Sequence, residues 1–96
     1  MQIELIAERE DITPERAEKT QGLAPGFAKA VAEVRRSSKG LWGWCSVKLT
    51  VTFKEGHKKL VGTAYLGQCS YKDEADFIAN SGYFMDMVKE AIADAR

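Results

Sequence analysis

An alternation of apolar and polar side chains over residues 45–54 constrains this fold more than any other feature of the sequence. The odd-numbered residues from Cys45 to Phe53 are apolar, whereas the even-numbered residues from Ser46 to Lys54 are polar or charged. Because successive side chains of a strand point to opposite faces, this pattern predicts a strand with one buried and one exposed face. Residues 55–58 (EGHK) then predict a turn and residues 60–68 a returning strand, so the two strands form a β-hairpin.

The burial pattern also predicts the register of this hairpin. A four-residue loop at 55–58 places Val47 opposite Leu66, and every odd-numbered residue of the first strand then shares its face with an apolar or small partner. In this register Cys45 points to the core and Cys69 to the other face. A slip by one residue would instead place the two cysteines opposite each other.

Helical periodicity surrounds the hairpin on both sides. Thr13-Pro14 predicts the start of a short polar helix that stops near Gly22, and residues 25–38 carry one apolar stripe and predict a second helix. Ser70 is the predicted cap of a third helix, and the stripe that begins at Phe84 predicts an amphipathic final helix. Residues 2–7 fit either a short strand or a helical turn.

Length and composition fit a single domain. The 96 residues, 45% of them hydrophobic, suffice for one two-layer core. An isolated hairpin is only marginally stable, so the apolar helix stripes are expected to cover its Val47, Leu49 and Val51 face. We therefore predict an α+β fold of order (β)-α-α-β-β-α-α, in which an antiparallel hairpin, with or without a third strand from residues 2–7, is covered on one face by helices.

The cysteines and the histidine do not form a catalytic or metal-binding set. His57 is twelve residues from both Cys45 and Cys69, which in a hairpin corresponds to roughly 40 Å. Nucleophilic dyads and zinc sites need these side chains together. No phosphate-binding glycine motif is present either. We expect no metal, no cofactor and no enzyme activity.

Charge is balanced in total but not along the chain. Residues 40–72 carry five lysines and one glutamate, whereas residues 73–96 carry six acids and two basic residues. Asp86, Glu90 and Asp94 recur every four residues and predict one acidic line on the final helix. Both charged regions can be explained as ordinary solvent-exposed side chains. The alternative is that they form two charged faces that bind a partner.

Both tryptophans, Trp42 and Trp44, stand just before the first strand of the hairpin. The predicted register places Lys48 opposite Tyr65, Trp44 opposite Cys69, and Trp42 near Tyr71, on the face away from the main core. This aromatic cluster at the open end of the hairpin has three interpretations: a second small core under Tyr83, Phe84 or the N-terminal segment, a protein-docking patch, or a stacking platform for bases.

Four stretches within residues 42–91 resemble a family of small uncharacterised proteins of tailed phages and prophages. They are WGWCSVKLTVTF, YLGQCSY, DEADF and SGYFMDMVKEA, the last with Ser81-Gly82 where the family pattern has a glycine pair. The resemblance implies a phage or prophage origin and action in the bacterial cytoplasm. It implies no catalytic residue.

The order of elements also resembles the double-stranded-RNA-binding domain, which packs helices on one face of an antiparallel sheet. That fold contacts phosphates through lysines at the start of its last helix. This chain has Asp73, Glu74 and Asp76 at the corresponding place. The resemblance therefore extends to topology and not to the phosphate-binding chemistry.

These observations predict a non-catalytic protein-interaction module, since aromatic side chains are the usual anchors of interfaces. The alternative is a nucleic-acid-binding module that uses the basic hairpin. No apolar run reaches the roughly 18 residues of a spanning helix, and residues 1–11 do not resemble a secretory signal, so we expect a bacterial cytoplasmic location. Self-association through an edge strand or the final helix stays open. The predicted protein-binding residues are Trp42, Trp44, Lys48, Tyr65 and Tyr71, and the alternative nucleic-acid contacts are Lys48, Lys54, Lys58 and Lys59.

Overall fold

The computed structural model describes residues 1–96 and has the predicted α+β architecture. A three-stranded antiparallel sheet is combined with four helices in the order β-α-α-β-β-α-α. The elements are β1 (Gln2–Arg9), α1 (Pro14–Thr20), α2 (Phe27–Arg35), β2 (Cys45–Glu55), β3 (Lys58–Cys69), α3 (Glu74–Asn80) and α4 (Phe84–Ala95).

The N-terminal segment is a full strand and not a helical turn. β1 pairs antiparallel with β2 from Gln2 opposite Thr52 to Arg9 opposite Cys45, without interruption. The strand order across the sheet is β1-β2-β3, so the strand with the clearest alternation lies in the centre. β1 therefore supplies the third strand that a bare hairpin lacks.

The hairpin forms in the predicted register over most of its length. Val47 lies opposite Leu66 and Lys48 opposite Tyr65. The turn itself is tighter than predicted, because the strands continue to Glu55 and Lys58 and only Gly56 and His57 connect them. Gly56 adopts φ 65°, the left-handed conformation that two-residue hairpin turns require.

The register shifts by one residue at the far end of the hairpin, which corrects two predictions. Between the pairs Val47–Leu66 and Cys45–Cys69, β3 has one residue more than β2. This β-bulge includes Gln68, which is the one non-glycine residue with positive φ, at 55°. Cys69 therefore faces Cys45 instead of Trp44, and both thiols point into the core.

The main core lies between the sheet and α4. Val47, Leu49 and Val51 of β2 are fully buried against α4 and Phe77 of α3. Gly62 on β3 permits the closest approach, because a Cβ atom there would overlap the backbone of α4 at Ala91 and Ala95. α4 covers β2 and β3 but not β1.

The helix boundaries follow local capping chemistry. The Thr13 hydroxyl accepts a hydrogen bond from the Arg16 N–H (3.2 Å) and begins α1 as predicted. α3 begins three residues later than predicted, since its cap is Asp73, whose carboxylate accepts from the Asp76 N–H (2.8 Å). The predicted cap Ser70 instead has a buried hydroxyl without a partner.

α1 and α2 form a separate helical pair beyond the bulged end of the sheet. α2 is shorter than predicted and ends at Arg35. Its N-terminal cap is Gly26, which has no side chain, and the Glu18 carboxylate of α1 accepts from the Ala28 N–H (2.8 Å) in its place. The molecule is elongated as a result, with extents of 51 × 26 × 20 Å.

Candidate interaction surface

Trp44 belongs to a second small core. Its side chain is 8% exposed and packs with Ala17 and Val31 beneath the α1–α2 pair. The indole Nε1–H donates to the Ile12 carbonyl (2.7 Å), and the Phe27 ring meets the indole edge-on at 5.8 Å. A second core was one of the three interpretations, but α1 and α2 cover it, and not Tyr83, Phe84 or the N-terminal segment.

Trp42 and Tyr71 pack against the main core. The Trp42 ring lies 5.9 Å from the Phe77 ring, and the Tyr71 ring lies 5.2 Å from it in an edge-on arrangement. The Tyr71 N–H donates to the Trp42 carbonyl (2.8 Å), which fixes the two residues side by side. Burial, followed by the nearby acidic side chains of Cys69, Tyr83 and Asp76, raises the pKa of the Tyr71 hydroxyl. The predicted cluster opposite the main core therefore does not form.

The structure splits the predicted aromatic cluster because Trp42 and Trp44 precede β2. Both lie in a chain reversal that runs from Lys39 to Trp44, and the strand begins only at Cys45. Strand alternation does not extend into this turn, so it cannot assign the two rings to a face. The β-bulge then removes the expected pair of Trp44 with Cys69.

Lys48 and Tyr65 are the two predicted residues that the structure brings together at the surface. They lie opposite each other on β2 and β3, and the Lys48 ammonium lies 5.9 Å from the centre of the Tyr65 ring. On the other side of Lys48, β1 places Ile6 in the same row. Ile6, Lys48 and Tyr65 thus form one line across the sheet, on the face away from α4.

We call this bare side of the sheet the open face. No helix packs on it, and its remaining rows are polar or charged residues with one further large apolar side chain, Val61. Tyr65 is 60% exposed, Val61 53% and Ile6 44%. The open face comprises Gln2, Glu4, Ile6 and Glu8 of β1, Ser46, Lys48, Thr50, Thr52 and Lys54 of β2, and Lys59, Val61, Thr63 and Tyr65 of β3.

The four lysines of the nucleic-acid alternative divide between the two sides of the hairpin. Lys54 and Lys59 pair with each other at the tip and lie on the open face with Lys48. Lys58 pairs with Glu55, beside the end of α4. β1 adds Glu4 and Glu8 to the open face. The face is therefore basic near the tip and acidic along β1.

Sequence reasoning missed Ile6 and Val61. Ile6 belongs to a segment that fitted a strand or a helix equally well, and its face depends on the pairing of β1 with β2. Val61 was visible in principle, because the predicted register already placed it with Thr52 and away from the core. An apolar residue on the side of the hairpin away from the core was the signal that could have identified Val61 as a surface residue.

Glu10 fixes the bulged end of this face. Its carboxylate accepts from the Ser46 hydroxyl (2.9 Å) and from the Gln68 N–H (2.8 Å). Burial alone would raise the pKa of Glu10, but these hydrogen bonds and one from the Asp11 N–H lower it overall. These bonds join Glu10 to β2 and to the bulged residue of β3, so the carboxylate stabilises the bulge.

The structure shows no cluster of three or more histidine, cysteine, aspartate or glutamate side chains that could hold a metal ion. His57 is exposed at the hairpin tip, whereas Cys45 and Cys69 are buried at the opposite end. Burial raises the pKa of the Cys45 thiol to about 11 and that of Cys69 to about 12. Both are thus protonated thiols at neutral pH and poor nucleophiles.

Comparison with protein-family models, with curated proteins and with solved structures found no match to this chain. None of the four helices has both the length and the apolar character that crossing a membrane demands.

Proposed function

We propose that this protein is a non-catalytic interaction module that binds a partner protein through the open face. The exposure of Ile6, Val61 and Tyr65 on a side of the sheet that no helix covers carries this proposal. Large exposed apolar side chains on one uncovered face favour a binding site, and tyrosine is among the residues that dominate interface energetics. Tyr65 is the proposed anchor, and the Lys48 ammonium lies 5.9 Å from the centre of its ring.

The charges on the open face favour a protein over a nucleic acid. Glu4 and Glu8 would repel phosphates along β1, and Tyr65 is the only aromatic side chain of the open face that could stack on a base. A protein partner can carry charges that complement both the basic end of the open face near the hairpin tip and its acidic side along β1. We propose a partner surface with an apolar contact for the centre of the face and carboxylates directed at Lys54 and Lys59.

The biological setting of the proposal rests on the resemblance over residues 42–91. A phage or prophage accessory protein acts in the bacterial cytoplasm, where a small module without catalytic groups works by binding another protein. Because Trp44 is buried and Trp42 and Tyr71 are partly buried, we no longer propose these three residues as contacts. Lys48 and Tyr65 stay in the proposed site, and Ile6 and Val61 join them.

The test compares two tyrosines of similar exposure. Tyr65 lies on the open face, whereas Tyr83 is 51% exposed at the start of α4. Immobilised wild type, Tyr65→Ala and Tyr83→Ala proteins are each incubated with a bacterial lysate, and the retained proteins are quantified by mass spectrometry. We expect one protein that wild type and Tyr83→Ala retain and Tyr65→Ala does not.

The retained protein is then purified and titrated calorimetrically against the wild type and the two variants. Because hot-spot residues contribute about 2 kcal/mol or more, Tyr65→Ala should weaken binding at least about thirtyfold, and Tyr83→Ala should not. Equal affinity of Tyr65→Ala and wild type would contradict the open face as the site. Salt-dependent binding of single-stranded DNA or RNA that weakens on substitution of Lys48, Lys54, Lys58 or Lys59, with no protein partner, would establish the nucleic-acid alternative.

A further inference from the structure

The outer edge of β1 has unpaired backbone groups. The pair Glu55–Lys58 closes a two-residue turn and exchanges both backbone hydrogen bonds, so the odd-numbered residues of β2 direct their backbone groups at β3. The even-numbered residues of β2 therefore bond to β1, whose own even-numbered residues face them. The backbone N–H and C=O groups that point away from the sheet belong to Ile3, Leu5, Ala7 and Arg9.

The other edge of the sheet is protected. The outward N–H of Thr63 on β3 donates to the Asp94 carboxylate of α4 (2.9 Å), and α4 rests directly on Gly62. The bulge at Gln68 interrupts the same strand further along. Capping, cover and bulges are the usual means by which proteins prevent edge pairing.

β1 lacks capping, cover and bulges, and its charged residues are Glu4, Glu8 and Arg9. Its eight residues pair with β2 without a bulge or a proline, and no side-chain hydrogen bond reaches its backbone. Ile3 on the helix side is 42% exposed because α4 covers only β2 and β3, and Ile6 is exposed on the open face. A long, regular edge with apolar side chains on both faces is a template for another strand.

We propose that the strand that completes this edge is β1 of a second copy of the same chain. Antiparallel pairing about a two-fold axis joins the two sheets into one sheet of six strands. Both copies then bury Ile3 and the exposed part of Leu5 at the centre of the interface, in the space between the two α4 helices. This inference does not depend on the proposed partner of the open face.

One register suits the charges of β1. Outward groups can bond only if odd-numbered residues face odd-numbered residues, which excludes every second register. Of the two allowed registers with the greatest overlap, the one centred on Ile6 places Glu4 opposite Glu8 of the second copy, and it does so twice. The register centred on Leu5 places Ile3 opposite Ala7 and Glu4 opposite Ile6, without like charges in direct opposition.

Longer-range charges also favour the second copy as the occupant. The two-fold axis brings the Glu8–Arg9 end of β1 beside the Gln2 end of its partner, next to the hairpin tip. Glu8 then lies on the same face as Lys54 of the second copy, and Arg9 on the same face as Glu55. Backbones two strands apart are separated by roughly 10 Å, which is close to the Debye length at physiological salt, so both attractions are partly retained.

The first test uses two isoleucines of equal exposure. Ile3 and Ile78 are each 42% exposed, the first on β1 and the second on α3. Sedimentation equilibrium of the full chain should give twice the chain mass for wild type and for Ile78→Lys. Ile3→Lys places a charge opposite Ala7 of the second copy and should raise the dimer dissociation constant at least tenfold, with an unchanged circular dichroism spectrum.

Amide hydrogen exchange of the wild-type protein identifies the edge independently of any substitution. In the proposed dimer the outward N–H groups of Leu5 and Ala7 should exchange as slowly as the inward ones of Glu4 and Ile6. In Ile3→Lys, the N–H groups of Leu5 and Ala7 should exchange faster than those of Glu4 and Ile6. A wild-type monomer at the highest soluble concentration would overturn the proposal, and so would a dimer in which Leu5 and Ala7 exchange rapidly. Loss of partner binding by Tyr65→Ala with the dimer intact would leave it standing.

Discussion

Cys45 and Cys69 lie directly opposite each other on β2 and β3, both buried and both reduced. The β-bulge at Gln68 creates this pair, because without the extra residue Cys69 would point to the open face. The bulge also separates the two cores. On one side of it the sheet packs on α4, and on the other Trp44 connects the sheet to α1 and α2.

The two thiols should be unreactive in the native protein. Burial raises the pKa of Cys45 to about 11 and of Cys69 to about 12, and only the thiolate attacks alkylating reagents. Iodoacetamide at pH 8 should modify neither residue until denaturant is added, when both react. Because the folded pKa values lie above the unfolded value of 9.0, the contribution of the two thiols to stability should be complete below pH 9 and should be lost as the pH rises through about 11 to 12. Rapid modification of either thiol without denaturant would contradict this arrangement.

Trp44 should contribute strongly to the stability of the fold. Trp44→Ala leaves a cavity beneath α1 and α2 and should lower the free energy of unfolding by about 3–5 kcal/mol, measured by urea denaturation. Trp44→Phe keeps most of the apolar contact but leaves the Ile12 carbonyl without its donor, a smaller loss of about 1–3 kcal/mol. Tyr65→Ala, at an exposed position, is the control and should change stability by about 0.5 kcal/mol or less. Equal effects of Trp44→Ala and Tyr65→Ala would contradict the second core.

Gly62 should not tolerate a side chain. A Cβ atom there would overlap the Ala91 carbonyl and the backbone of Ala95, so Gly62→Ala must displace α4 from the sheet and should cost about 1–3 kcal/mol or more. Gly67 on the same strand is the matched control, because the nearest atom to its Cβ position is a Glu10 carboxylate oxygen at 3.4 Å. Thermal denaturation should show a lower melting temperature for Gly62→Ala only. A comparable loss in both variants would argue against close packing of α4.

Glu10 should make the protein sensitive to acid. Burial disfavours its charged form, but the bonds from Gln68, Ser46 and Asp11 outweigh this and hold its pKa below the ordinary 4.5. A lowered folded pKa means that the stabilisation is present above about pH 4.5 and is lost as the pH falls through the folded value. Glu10→Gln should remove this part of the pH dependence, measured as urea midpoints from pH 7 to pH 3. An unchanged acid dependence in Glu10→Gln would show that the carboxylate does not hold the bulge.

The sequence alone predicted the α+β class, the order of elements and most of the hairpin register. These follow from local rules: the alternation from Cys45 to Phe53 specifies one buried face, and Thr13-Pro14 specifies a helix start. Within the candidate site, the pair of Lys48 and Tyr65 was also predictable, because it depends only on that register. Its role in binding stays a prediction.

Other parts depend on contacts between residues far apart in the chain. Residues 2–7 become a strand because they pair with the edge of β2, and this pairing places Ile6 beside Lys48 on the open face. Trp44 is buried because the two preceding helices, α1 and α2, fold back over it. Neither outcome has a signal within a short window, since both are set by burial shared between distant segments.

Local side-chain chemistry and periodicity thus determined the elements of this protein and the sides that each presents. The tertiary structure decided which sides are covered. One extra residue at the bulge turned Cys69 inward, and α4 covers β2 and β3 but leaves β1 and the open face bare. The physical reason is that a strand's alternation depends on its own residues, whereas the covering of a face depends on the packing of elements that the chain brings together only when it folds.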